Sequence, residues 1–212
     1  MKNQKRILAI SDVHGNGHLL TKLLQAVNYS PDIDQLIMLG DYINKGPDSI
    51  GTLQSIESLC KEGAIALAGN NELKWLNSEN SETASWKPFL KSLPFYKEIS
   101  PFIFVHAGIK KSLPLYKQRI EDLTGINTPS FECFPDRIVV FGHTPTFRLA
   151  SSTGQVWLKK GMVGIDTGAG HGSNLSLVDL TNWLSYFVRI NNSEEVNSYP
   201  LQKQIVYGDD YI

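Results

Sequence analysis

The sequence predicts an α/β fold, with parallel βαβ units in the first half and mostly β-strands in the second. Three observations carry this prediction. Compact apolar runs are followed three times by a turn and a helical pattern; the connections between them are short; and beyond about residue 100 helical periodicity gives way to successive apolar runs. A chain of 212 residues with 42% hydrophobic content can bury one substantial core, so a single domain over 1–212 is expected.

The first unit starts at residues 6–11 (RILAIS), a strand ending on Asp12. Gly15 and Gly17 then punctuate the chain before a helix marked by Leu19, Leu20, Leu23, Leu24 and Val27. The second runs from LIMLG at 36–40 into Asp41, and after Gly46-Pro47 a helix passes through Ile50, Leu53, Ile56 and Leu59. The third runs from AIALAG at 64–69 into Asn70 and Asn71, with a helix carrying Leu73, Trp75 and Leu76. A helical stretch is expected at 85–93. After it come strands at FIFVH (102–106) and IVVFGH (138–143), a hairpin over RLASSTGQVWL (148–158), and strands at MVGID, LSLVDL and WLSYFV. Residues 110–135, with three prolines and few periodic apolar positions, read as an irregular excursion of the kind that borders sites.

Composition narrows the function. Twenty Lys and Arg stand against 21 Asp and Glu, and Lys110-Lys111 and Lys159-Lys160 are isolated pairs, so neither nucleic acid nor a membrane surface is an expected partner. Two cysteines, Cys60 and Cys133, are too few to staple a chain of this size, and the N-terminal apolar run is cut short by Asp12 and His14. A cytoplasmic protein is expected. Its oligomeric state is left open.

The chemistry lies at the strand ends. Asp12 with His14, Asp41, Asn70, His106 and His143 each follow an apolar strand. Any one alone reads as a helix cap, a turn residue or a core histidine. Strand C-terminal ends of an α/β sheet meet in one crevice, however, so together the six are expected to converge. Two carboxylates, three imidazoles and an amide oxygen suit Mn best, with Fe or Zn as alternatives, and lack the thiolates of a structural zinc site. Six ligands exceed the need of one open catalytic ion. The economical arrangement is two divalent ions about 3.5 to 4 Å apart that share a carboxylate and a bridging water whose pKa falls towards about 7, ready to attack phosphorus.

These segments resemble the calcineurin-like metallophosphoesterase superfamily, in its branch of phosphoprotein phosphatases and symmetrical diadenosine tetraphosphate hydrolases. SDVHGN at 11–16 is similar to the family's GDxHG, GDYINKG at 40–46 to GDxxDRG, and GNNE at 69–72 to GNHE, with VHAG at 105–108 and FGHT at 141–144. The resemblance covers most of the chain. It implies a four-layer β-sandwich flanked by helices, with Asp12 and His14 on a first metal, Asp41 bridging, and Asn70, His106 and His143 on a second. It also implies a phosphorylated small molecule, a nucleotide or a phosphoprotein as substrate.

Four positions depart from the family pattern. The general-acid histidine of GNHE is Asn71, and the aspartate that orients it is Asn44. An amide has no proton to give near neutral pH, so Asn71 can bond a leaving oxygen without protonating it. The motif's arginine is Lys45, which keeps the charge but not the bidentate fork, and a second family arginine falls at Asn127 in EDLTGINTPSF. Lys45 and Asn127 are the expected substrate contacts. His171, in DTGAGHGSN, is the candidate to supply the missing acid, while His18 reads as a surface residue. A general acid contributes roughly 10² to 10⁴ in rate. Its loss weighs most on poor leaving groups, so phosphoanhydrides, aryl esters and activated diesters are the expected substrates. Serine/threonine protein phosphatase activity, or a metal-binding role without turnover, is the alternative.

Overall fold

The computed structural model describes residues 5–79, 81–126, 136–149 and 153–207. In chain order the strands are β1 (Arg6–Ile10), β2 (Asp34–Met38), β3 (Ile65–Ala66), β4 (Tyr96–Ile99), β5 (Phe102–Val105), β6 (Ile138–Phe141), β7 (Trp157–Lys159), β8 (Met162–Gly164), β9 (Asn174–Asp179), β10 (Leu184–Arg189) and β11 (Asn192–Pro200). The helices are α1 (Gly17–Ala26), α2 (Ser49–Lys61), α3 (Asn70–Leu76), α4 (Ser81–Ala84), α5 (Lys87–Ser92), α6 (Ile120–Gly125) and α7 (Lys203–Tyr207).

Two mixed sheets form. One has the order β11-β10-β9-β1-β2-β3, the other β4-β5-β6-β8-β7. Side-chain alternation explains how they stack. In β1, Ile7 and Ala9 face one way and join Ile37, Leu39, Phe104, Val140 and Val163 in a core between the sheets. Leu8 and Ile10 face the other way, onto Leu19, Leu20 and Leu23 of α1 and Leu53 and Ile56 of α2. On the far face of the second sheet, Val105, Val139 and Phe141 pack with Leu123 of α6. The layers are helices, sheet, sheet and helix. Because both faces of β1 and β2 are covered, both strands end in unbroken apolar runs, ILAI and LIM. Among the described residues no helix is long and apolar enough to cross a membrane.

The three strand–helix units lie where the sequence places them, with β1, β2 and β3 parallel. In the second sheet β5, β6 and β8 are parallel too, so their C-terminal ends point the same way. Of the hairpin expected over 148–158, residues 150–152 lie outside the described residues. Residues Thr146–Arg148 close a 3₁₀ turn instead of a strand, and a hairpin pairs β7 with β8 around Lys160-Gly161, where Gly161 adopts φ 70° at no steric cost. The irregular excursion holds a 3₁₀ turn and α6 within its described part. It borders the strand ends, since Ala107 donates to the Leu123 carbonyl at 2.8 Å.

Candidate metal centre

The parallel strands of both sheets end at one place. β1 delivers Asp12 and His14, β2 delivers Asp41, the loop after β3 delivers Asn70, β5 delivers His106 and β6 delivers His143. The sheets are stitched there by the candidate ligands themselves. His143 N–H donates to Asp12 Oδ2 at 2.9 Å, and the His106 Nδ1–H donates to the Leu39 carbonyl at 2.8 Å. The approach leaves no room for a side chain at Gly142, whose Cβ would collide with Ser11 Oγ and Asp12 Oδ2. That accounts for the glycine before His143.

Asp12, His14 and Asp41 form one group able to hold an ion, and Asp41, His106 and His143 a second, with the offered atoms of each group within 4.8 Å of one another. Asp41 belongs to both and divides its oxygens between them. Its Oδ2 lies 3.7 Å from His14 Nε2 and its Oδ1 lies 3.5 Å from His106 Nε2. Asp12 Oδ1 is 3.7 Å from His14 Nε2. Asn70 Oδ1 completes the second group, 3.1 Å from His106 Nε2 and 2.9 Å from His143 Nδ1. All six sequence-predicted ligands therefore meet.

Local chemistry fits cations at both groups. His14 Nδ1 bonds the Ile43 carbonyl at 3.1 Å, and His106 Nδ1 bonds that of Leu39, so each presents the lone pair of Nε2 to the centre. The Nε2 of His106 thus faces the oxygen of Asn70, an arrangement that repels unless a positive charge lies between them. His14 Nε2 meets such a charge in the Lys45 ammonium at 3.1 Å. Asp12 and Asp41 are each 2% exposed, which makes charge compensation necessary. Burial works against the Asp41 carboxylate, but His106, His14 and the donors of Asn71 outweigh it and hold its pKa below the ordinary value. Burial also opposes a charge on His106, yet Asp41 and Asp12 raise its pKa; burial and His106 lower that of His143. The backbone is held in an unfavourable region to build this. Of the nine non-glycine residues with positive φ among the described residues, six are Asp12, His14, Asp41, Asn44, Lys45 and His143.

Around the ligands runs a chain of neutral donors. The Trp75 indole N–H donates to Asn44 Oδ1 at 3.0 Å, Asn44 Nδ2 donates to Asn71 Oδ1 at 3.0 Å, and Asn71 Nδ2 donates to Asp41 Oδ2. Asn71 N–H also donates to Asp41 Oδ1 at 2.9 Å. Asn44 thus orients Asn71, as its motif position implies. Trp75, one helical turn beyond Asn71 and packed against the core, supplies the outermost donor. Lys45 reaches the centre, and Asn127 lies outside the described residues. His18 is exposed.

Two residues escaped sequence reasoning. Glu72, with no exposed surface, accepts from the N–H groups of Asp41 (2.8 Å), Tyr42 (2.9 Å) and Gly69 (2.8 Å), fixing the turn that presents Asp41. Burial, then the nearby Asp41, pushes its pKa up to about 7. Asp166 ends β8 as the other carboxylates end their strands, and burial with Asp12 nearby raises its pKa well above the ordinary value. Its strand-end position in MVGID was the available signal. His171 is exposed on a 3₁₀ turn, Ala169–His171, beside the centre; burial, Lys45 and Arg148 lower its pKa.

The pattern of the calcineurin-like phosphoesterases matches residues 5–187, and the chain belongs to that family. The symmetrical bis(5'-nucleosyl)-tetraphosphatase of Shewanella oneidensis is 31% identical over 137 residues, covering 54% of this chain and 48% of the relative. Serine/threonine-protein phosphatase 1 of Salmonella typhimurium is 33% identical over 87 residues, covering 40% and 38%. The chain thus spans about half or less of the length of these curated relatives. A solved structure provisionally assigned as a diadenosine tetraphosphatase superposes with a TM-score of 0.70 over 94% of this chain and 95% of that one, at 23% identity. A Saccharomyces cerevisiae protein serine/threonine phosphatase gives 0.63 over 94% and 81%, at 11% identity. Both are likenesses of fold.

Proposed function

We propose that this protein is a hydrolase of phosphate esters or anhydrides that works with two divalent ions, Mn most simply, and favours substrates with good leaving groups. The observation that carries this reading is the division of Asp41 between two ligand groups, each with its own imidazole. Asp12, His14 and Asp41 would hold one ion, and Asp41, Asn70, His106 and His143 the other. Ions bound there supply an acidified water as nucleophile and positive charge for the phosphoryl oxygens.

The remaining steps fall to residues of this chain. Lys45 binds a phosphoryl oxygen as a point charge. Asn71 is fixed by Asn44 and Asp41 and offers an amide N–H to an oxygen of the substrate; it orients and polarises but transfers no proton. His171, with its lowered pKa, is neutral at pH 7 and serves as an acid only in more acidic solution. The leaving oxygen must therefore depart largely unprotonated. A nucleotide leaving from an anhydride, or an aryl oxide, can do so, and the alkoxide of phosphoserine cannot. The tetraphosphatase relatives support an anhydride and the protein phosphatase relative a phosphoprotein, and the amide at position 71 favours the first.

The test is a panel of diadenosine tetraphosphate, an aryl phosphate, an activated diester and a phosphoserine peptide, assayed with Mn-loaded protein. Anhydride and aryl ester should turn over faster than the peptide. Faster turnover of the peptide would transfer the assignment to the protein phosphatases, and absence of metal-dependent hydrolysis across the panel would leave a binding role.

A further inference from the structure

The centre has two buried carboxylates, and their oxygens meet different sets of donors. Asp12 Oδ2 accepts from the His143 N–H at 2.9 Å and from the Ser11 hydroxyl. Its Oδ1 is turned to the first ligand group, 3.7 Å from His14 Nε2. At Asp41 the donors are spread: the Asn71 N–H bonds Oδ1 at 2.9 Å, and Asn71 Nδ2 bonds Oδ2. A carboxylate oxygen has two lone pairs. Each oxygen of Asp41 thus keeps one for a ligand group of its own, as its shared place requires. At Asp12 the two donors fill Oδ2, and Oδ1 is the oxygen left to the first group.

Ser11 creates this difference. It stands where the family motif has glycine, directly after β1, and is 2% exposed. A buried hydroxyl is costly unless it is bonded, and this one is satisfied on the neighbouring carboxylate. Its oxygen lies in the narrow gap between the ends of β1 and β6, since a Cβ at Gly142 would collide with it and with Asp12 Oδ2 together. The backbone of Asp12 is held as well, at φ 53° with its N–H on the Gly40 carbonyl at 3.0 Å. Asp12 is therefore fixed from the ends of three strands, and the hydroxyl at residue 11 decides which of its oxygens can reach a cation.

We propose that Ser11 is a positioning residue: its hydroxyl, with the His143 N–H, confines Asp12 to one-oxygen ligation of the first ion and so keeps a coordination position of that ion free for water or a phosphoryl oxygen. The inference rests on the metal-centre reading and concerns how the first group is tuned. A carboxylate that closes on an ion through both oxygens takes two positions, and an open position is what separates a catalytic ion from a structural one. Partners behind a ligand set how that ligand meets its ion. With alanine or glycine at residue 11, Oδ2 regains a lone pair, and Asp12 closes on the ion with both oxygens.

The experiment compares wild type, S11A and S11G by Mn binding isotherms, by kinetics on an aryl phosphate, and by the visible spectrum of the Co(II)-loaded proteins. Both variants should keep the wild type's two ions without loss of affinity. Their kcat should nevertheless fall about tenfold, the lower edge of what a partner behind a metal ligand contributes. The Co(II) absorption should weaken, as it does when ligands are added to the ion. In the Asp12→Asn background the same two substitutions should leave the spectrum unmoved, because the remaining ion belongs to the second group. A loss of ion affinity together with kcat, at an unaltered spectrum, would mean that Ser11 merely supports the fold near Asp12. Unchanged kcat and spectrum would mean that the hydroxyl does not govern Asp12. Either result overturns the proposal. A wild type that binds fewer than two ions per chain would instead overturn the metal-centre reading on which it rests.

Discussion

The first sheet carries buried carboxylates at both ends of its strands, and the two ends treat them differently. At the start of β1 and β2, Asp34 receives Arg6 through two bonds of 2.8 Å and the Ser30 N–H at 2.9 Å. Nearby, Asp179 accepts from Thr181 N–H, Asn182 N–H and Asn182 Nδ2 at 2.8 to 3.0 Å. That end is complete in itself. At the other end, Asp12 and Asp41 face imidazoles 3.5 to 3.7 Å away and an amide oxygen lies among the ring nitrogens. Asp34 and Asp41 both have lowered pKa values. Against the penalty of burial, the first is held down by an arginine that never loses its charge and the second by imidazoles that do. A buried carboxylate with a permanent partner is structural, whereas one whose neighbours can turn neutral needs a cation from outside.

The largest effect that could break this contrast comes from removing one charge at each end. Asp41→Asn should reduce bound metal from two ions per chain and remove nearly all hydrolysis, because both groups lose their shared ligand. Asp34→Asn should leave metal content intact and cost about 2–3 kcal/mol in unfolding free energy, the size of a charged hydrogen-bond pair. Elemental analysis and denaturant titration of both variants read the two outcomes. Equal metal loss in both would show that the two ends are not distinct.

Next in size is the neutral chain beside Asp41. The double substitution Asn71→His with Asn44→Asp places an imidazole where an amide now sits, with a carboxylate to orient it. Turnover of a phosphoserine peptide should rise by roughly 10² to 10⁴, the worth of a general acid, while an aryl phosphate with a good leaving group gains much less. A uniform gain, or none, would mean that the amide does not limit the choice of substrate. His171→Ala sharpens the same point in pH space. Any activity that depends on protonated His171 falls as pH rises through a pKa below the usual 6.5, so the variant should lose that acid-side limb alone.

Much of this contrast was legible in the sequence, and the reasons are physical. An apolar strand must stop where its backbone leaves the core, so Asp12, Asp41, His106 and His143 announced themselves as the first metal-competent side chains after buried runs. The alterations at Asn44, Lys45 and Asn71 were equally visible, because motif spacing fixes their places. Less visible were β4 and β11, edge strands whose outward residues carry little apolar alternation to separate them from loop. The bonds of Glu72 were hidden as well, since they run to backbone N–H groups about thirty residues away and depend on how β2 meets α3.

Glu72 also ties the centre to pH. Its pKa, about 7 in the fold against an ordinary 4.5, means that the folded chain retains a proton which the unfolded chain has released. Its contribution is therefore favourable below pH 4.5 and is lost as pH rises towards 7, by an amount on the order of a few kcal/mol. Ions at Asp41 offset the charge that helps to raise this pKa, and they bind better as the imidazoles become neutral. The Tm difference between Mn-loaded and EDTA-treated protein should accordingly be small at pH 5 and widen by pH 8. A gap that is constant with pH would mean that Glu72 and the ligand histidines do not titrate with metal binding.

The smallest effect concerns the outer end of the amide chain, where its origin can be separated from its purpose. Trp75→Phe keeps an aromatic ring against the core but removes the indole N–H that donates to Asn44 Oδ1, together with part of the indole's packing. Stability should fall by about 1 kcal/mol for the lost hydrogen bond, with a further loss from the smaller ring. The more informative reading is kinetic. Asn44 freed of its anchor can rotate its amide, which leaves Asn71 without a fixed donor and lets its own N–H groups wander from the substrate. If the chain positions Asn71, kcat should fall a few-fold with KM and metal content unchanged, and the double variant with Asn44→Ala should be no slower than Asn44→Ala alone. Additive losses in that double-mutant cycle would mean that Trp75 acts through packing and not through Asn44.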